Sequence, residues 1–196
     1  MNEQIWWYVA RGSGIIGWLM LTASVLWGIF LATDLFPKHR RPAWLLDLHR
    51  WLGGLTVSFV VIHLIALMAD SYIQFSLADL LVPFKADYKP LPVAVGVLAM
   101  WCLIAVQLTS LARRHLPKSF WRGVHFTSYV AFWLTSLHST FAGTDSTQLL
   151  YLVTSSASVA AVMFAVLYRI MNGRKTRRPT VQTADTGSDR ARLIRV

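Results

Sequence analysis

The chain is 196 residues long, 55% hydrophobic and only 14% charged, with a mean hydropathy of +0.48. It is far too apolar for a water-soluble domain and has the composition of a polytopic membrane protein. A net charge of +10 would suit nucleic acid, but the cations fall in short runs between apolar stretches, which excludes that partner and marks cytoplasmic loops. The single cysteine, Cys102, excludes an internal disulfide and a cysteine-ligated iron–sulfur cluster.

A bilayer core about 30 Å thick needs roughly 20 mostly apolar residues per helix. Five stretches qualify, from Trp6 to Ala32, Trp44 to Ala69, Pro92 to Leu111, Phe120 to Ala142, and Gln148 to Ile170. The first opens on Trp6, Trp7 and Tyr8, an interfacial aromatic belt. Arg11 follows inside the apolar zone, then Gly12, Ser13, Gly14 and Gly17, which allow close helix approach. This stretch lacks a basic leader and is too long for a signal core, so it is expected to remain as a helix. The second carries His49, Gly53, Gly54 and His63, its glycines leaving room for either a neighbouring helix or a bulky cofactor. The segment from Ser71 to Leu91 mixes apolar residues with Asp79, Lys85 and Asp87. It reads as a short interfacial helix or as a plain connector. Cys102 in the third stretch is a small packing residue. The fourth carries His125, Phe132, Trp133 and His138, the two aromatics lying midway between the histidines, as core packing or as filling between the two histidine levels. Residues 1–171 form one membrane domain, and 172–196, polar and basic, form a disordered cytoplasmic tail.

All Lys and Arg except Arg11, Lys85 and Lys89 lie on one side of this layout, in the loops at Lys38–Arg41 and Arg113–Arg122, at the adjoining span ends (Arg50, Arg169) and in the tail. The amino terminus is therefore outside and the carboxyl terminus inside. The second and fourth spans both run outward, which places His49 and His125 near the cytoplasmic face and His63 and His138 near the outer face.

An ionisable side chain within a span is costly and reads as functional. His49 and His63 are 14 residues apart, His125 and His138 are 13 apart. At about 1.5 Å per residue these separations rise about 21 and 19.5 Å, giving two depth-matched planes. Each plane admits one imidazole from each helix, the requirement for bis-histidine ligation of one haem per plane. Thirteen residues return about 140° away from the starting face at 3.6 residues per turn, so the fourth span is expected to be overwound, bent or tilted. His39 and His115, in basic loops, are solvated residues outside this set.

The segments LHRWLGGLTVSFVVIH (Leu48 to His63), FWRGVHFTSYVAFWLTSLH (Phe120 to His138) and RGSG from Arg11 resemble the ferric reductase-like transmembrane domain. NADPH oxidases, ferric reductases and the haem-binding partner of periplasmic methionine sulfoxide reductase carry this domain. The resemblance covers about residues 6 to 170. It implies an all-α bundle of five transmembrane helices holding two stacked b-type haems, the inner on His49 and His125, the outer on His63 and His138. Arg11 would lie near the outer haem, as partner of a haem carboxylate or an anionic acceptor. Leu67 stands where NADPH oxidases have a further histidine, so superoxide production is not expected.

The 196 residues hold no glycine-rich nucleotide motif. Electrons are expected from a separate cytoplasmic flavoprotein carrying FMN or FAD, or from quinol. They would pass through both haems to an acceptor outside, such as ferric iron or a partner reductase, across a bacterial cytoplasmic membrane. Alternatives are a cytochrome b anchor exchanging electrons with quinone, and a haem-free metal or proton transporter.

Overall fold

The computed structural model describes residues 4–33 and 42–175, and every regular element among them is helical. The long helices are α1 (Gln4–Ala32), α2 (Ala43–Ala69), α4 (Pro90–Leu111), α5 (Lys118–Ala142) and α6 (Leu149–Lys175). A short helix, α3 (Leu77–Leu81), lies between α2 and α4, and a 3₁₀ turn at Arg113–His115 precedes α5. In hydrocarbon every peptide group must be paired within the chain, and a continuous helix does so. The hydroxyls in these helices fold back in the same way. Thr22 donates to Trp18 O, Thr56 to Leu52 O and Thr135 to Ala131 O, each at 2.7–2.9 Å.

Helices α1, α2, α4 and the Leu149–Met171 part of α6 are long and apolar enough to cross a membrane. Large apolar side chains cover their outer surfaces, with Trp51 70% and Phe164 72% exposed, as suits contact with lipid. The expected fifth span, α5, has the length but not the composition: Lys118, Arg122, two histidines and a series of Ser and Thr dilute it. By composition the count is therefore four, not five. Even so, α5 packs along α4, and its Ala131 and Phe132 are fully buried. A helix shielded by neighbours need not be apolar all round.

The central core joins Leu21, Val25 and Ile29 of α1 to Leu103 of α4, Ala131 and Phe132 of α5, and Val162 of α6. Phe132, midway between His125 and His138, is thus a packing residue, whereas Trp133 is 39% exposed. Cys102 packs at the edge of the same cluster.

The segment between α2 and α4 is a strap rather than a plain connector. Ser76 and Asp79 form a reciprocal capping box that starts α3. Bonds from the Ser76 hydroxyl and then its amide hold the Asp79 carboxyl below its ordinary range. Ala86 packs against Val93, Val97 and Met100, and Trp101 Nε1 donates to Leu81 O at 2.9 Å. Lys89 turns into α4 through the left-handed region, φ 42°, and places Pro90 at the first helical position, where a missing N–H costs nothing. Its Nζ donates to Phe141 O and Ala142 O at 3.1 and 3.3 Å. A cation thereby caps the negative end of α5.

The basic loop at Lys38, Arg40 and Arg41, with His39, lies outside the described residues, as does the tail beyond residue 175. Helix α6 itself runs four residues past the expected domain boundary at 171.

Candidate functional site

His63 Nδ1 lies 2.7 Å from Ala10 O of α1, and His138 Nδ1 lies 2.8 Å from Pro92 O of α4. A carbonyl oxygen can only accept, so both rings donate through Nδ1 and keep the lone pair on Nε2. Glycine makes each approach feasible. A Cβ on Gly14 would stand 3.1 Å from the His63 ring, and one on Gly96 would stand 2.5 Å from the His138 ring.

The other pair is held more loosely. His49 Nδ1 lies 3.5 Å from Ser24 Oγ, and a Cβ on Gly28 would meet its ring at 3.1 Å. His125 Nδ1 is buried and has no hydrogen-bond partner among the described residues. Its ring stacks on Trp121 instead, with centroids 5.1 Å apart. The Arg113 guanidinium covers the Trp121 ring at 4.3 Å.

The structure brings together the pairs expected from spacing. Ring centroids of His49 and His125 are 5.9 Å apart with planes at 77°, and those of His63 and His138 are 6.4 Å apart with planes at 83°. Metal–imidazole nitrogen bonds are about 2.0 Å long, so two imidazoles on opposite sides of one metal atom have ring centres about 6 Å apart. Both pairs have that separation. Among the described residues no group of three or more His, Cys, Asp or Glu could hold an ion. A metal at either pair would therefore need ligands from outside the chain, as the pyrrole nitrogens of a haem supply. The donor set fits that group.

Since His49 pairs with His125 and His63 with His138, α2 and α5 run in the same direction. Of the overwinding, bending or tilting expected of α5, overwinding is not found: Lys118–Ala142 is unbroken α-helix with no 3₁₀ or π residue. The two rings of α5 also lean against different neighbours. His138 leans to α4, whereas His125 lies against Trp121 on its own helix.

A cavity of about 240 Å³ adjoins the His63–His138 pair, and Arg11, Asp70 and Asp145 also line it. Arg11 donates from Nε to Asp145 Oδ2 at 2.9 Å and from Nη2 to Asp145 Oδ1, a two-pronged ion pair. Its guanidinium also covers the Trp7 ring at 4.0 Å. Arg11, His63 and His138 thus line one cavity. Sequence reasoning missed Asp70, Asp145, Gly28, Gly96 and Trp121. One signal was present for the glycines: Gly14 and Gly28 are 14 residues apart, the same interval as His49 and His63. Gly53 and Gly54 meet no histidine.

A family model described as the ferric reductase like transmembrane component matches residues 13–136. The match takes in His49, His63 and His125 and ends two residues before His138. No curated protein and no solved structure matches the chain. With well over half its length matched and four helices fit to cross a bilayer, the chain belongs to the ferric reductase-like transmembrane family and is an integral membrane protein with a role in transmembrane electron transfer.

Proposed function

We propose that the protein is a membrane cytochrome holding two b-type haems, the inner between His49 and His125 and the outer between His63 and His138. In this reading α5 is a fifth crossing, the amino terminus lies outside, and the membrane is a bacterial cytoplasmic membrane. Electrons enter from a cytoplasmic flavoprotein or from quinol and leave to an acceptor outside, such as ferric iron or a partner reductase. The observation that carries the reading is the separation of the two ring pairs, 5.9 and 6.4 Å, each the space of one metal atom between two imidazoles.

Bound haem would supply a one-electron iron centre at each level. The chain's own residues do the rest. Ala10 O and Pro92 O hold Nδ1 of the outer rings and leave the Nε2 lone pairs for a ligand. Gly14, Gly28 and Gly96 let the neighbouring helices close on the histidines. Arg11 spends Nε and Nη2 on Asp145 and keeps Nη1 for a carboxylate of the outer haem. Phe132 and its neighbours fill the level between the pairs and exclude water. Arg113, Arg114, Lys118 and Arg122 form a basic rim beside the inner pair that suits docking of an acidic donor protein.

A reduced-minus-oxidised spectrum of the purified protein, with haem quantified per chain, tests this. Two b-type haems are expected, and His63→Ala or His138→Ala should each remove one and leave the other. Absence of b-type absorption would overturn the reading.

A further inference from the structure

Asp70 is the C-cap of α2, where the helix's own carbonyls already concentrate negative partial charge. It is nonetheless only 7% exposed and lines the cavity beside the outer pair. One carboxylate oxygen accepts from Ile73 N at 3.2 Å, and no cation pairs with it among the described residues. A buried carboxylate without a cation is strongly disfavoured. The cation in the same cavity, Arg11, is already neutralised by Asp145. Lys89, at the rim, is turned onto the end of α5. Counted as ionised, the charged groups lining the cavity, Arg11, Asp70 and Asp145, leave one negative charge, at Asp70. With no group of three ligating side chains among the described residues to chelate a bare ion, the fitting occupant is a cation that keeps its own ligand shell.

We propose that the acceptor reduced at the outer pair is a cationic metal complex drawn in by Asp70, and not an anionic chelate. This rests on the outer pair being the electron exit. The step is one electron from the reduced protein to the metal of the complex, from the trivalent to the divalent state, with no bond made or broken and no proton moved. An anionic complex would enter against Asp70 and, once Arg11 also meets a haem carboxylate, without a free cation to receive it.

The test uses the full chain in detergent at low ionic strength. Reoxidation of the dithionite-reduced protein is followed with hexaammineruthenium(III) and with ferricyanide, in the wild type, Asp70→Asn and Asp87→Asn. The amide oxygen of asparagine can still accept from Ile73 N, and Asp87 is an exposed aspartate of the same strap. Asp70→Asn should slow the ruthenium reaction roughly tenfold, the low end of electrostatic focusing, and abolish most of its salt dependence. Ferricyanide should be unaffected or faster, and Asp87→Asn should change little. Equal loss in both variants would mean general surface charge, and no loss in Asp70→Asn would mean no role for this carboxylate; either overturns the proposal. Calorimetric titration with hexaamminecobalt(III) reads the same site without any haem, with binding weakened in Asp70→Asn and kept in Asp70→Glu. A protein without haem but with that binding would sink the cytochrome reading alone.

Discussion

The two histidine pairs have nearly the same ring separation and are built in opposite ways. At the outer pair each Nδ1 is fixed on a backbone carbonyl of an adjoining helix, at 2.7 and 2.8 Å. Helix carbonyls are rigid, so those rings are oriented before any ligand arrives. At the inner pair one ring has a hydroxyl at 3.5 Å and the other only an indole face. Preorganisation is a property of the outer site, and the inner site depends on what it binds. The difference follows from chain placement. His63 and His138 face the starts of α1 and α4, where Ala10 and Pro92 lie, whereas His125 sits near the amino end of α5 with Trp121 one turn before it.

Substitutions can break or sharpen this contrast. The largest effect is expected from Gly96→Ala, whose Cβ would stand 2.5 Å from the His138 ring. Outer-haem absorbance should be lost while the inner remains, with a stability cost of about 1–3 kcal/mol for overpacking, read by spectrum and thermal melt. Trp121→Ala should act on the other pair, lowering inner-haem occupancy and sparing the outer, and Trp121→Phe should restore most of it if stacking is what holds His125. Asp145→Asn frees Arg11 and should cost about 1 kcal/mol, since the pair is 30% and 20% exposed. Ser24→Ala removes a contact at the limit of hydrogen-bond length and should shift stability by less than about 0.5 kcal/mol. Ring planes at 77° and 83° also predict highly anisotropic low-spin ferric EPR signals from both sites. A rhombic pattern from either would mean that its imidazoles turn parallel on binding.

The positions of the helices could be read from hydropathy, because lipid leaves the backbone no alternative to a helix. The pairing of His49 with His125 and His63 with His138 could be read from rise per residue alone. Rotation about α5 could not, since where a ring points depends on its rotamer and its neighbour, here Trp121 for His125 and α4 for His138. The hydroxyls of α5 lower its apolar count without interrupting the helix, since Thr127, Thr135 and Ser136 bond its own backbone. Asp70 and Asp145 looked like ordinary loop acids, because burial at a helix end and pairing across 134 residues leave no local trace.

The histidine levels have a further consequence for energetics. Fourteen residues of helix separate His49 from His63, about 21 Å along the axis, roughly two thirds of a 30 Å hydrocarbon core. An electron carried between those levels would cross about two thirds of the membrane field, worth about 1.5 kcal/mol for every 100 mV. In a membrane negative inside, outward flow would be accelerated and the voltage partly discharged. Turnover in sealed vesicles should therefore respond to an imposed potential, and in leaky ones it should not.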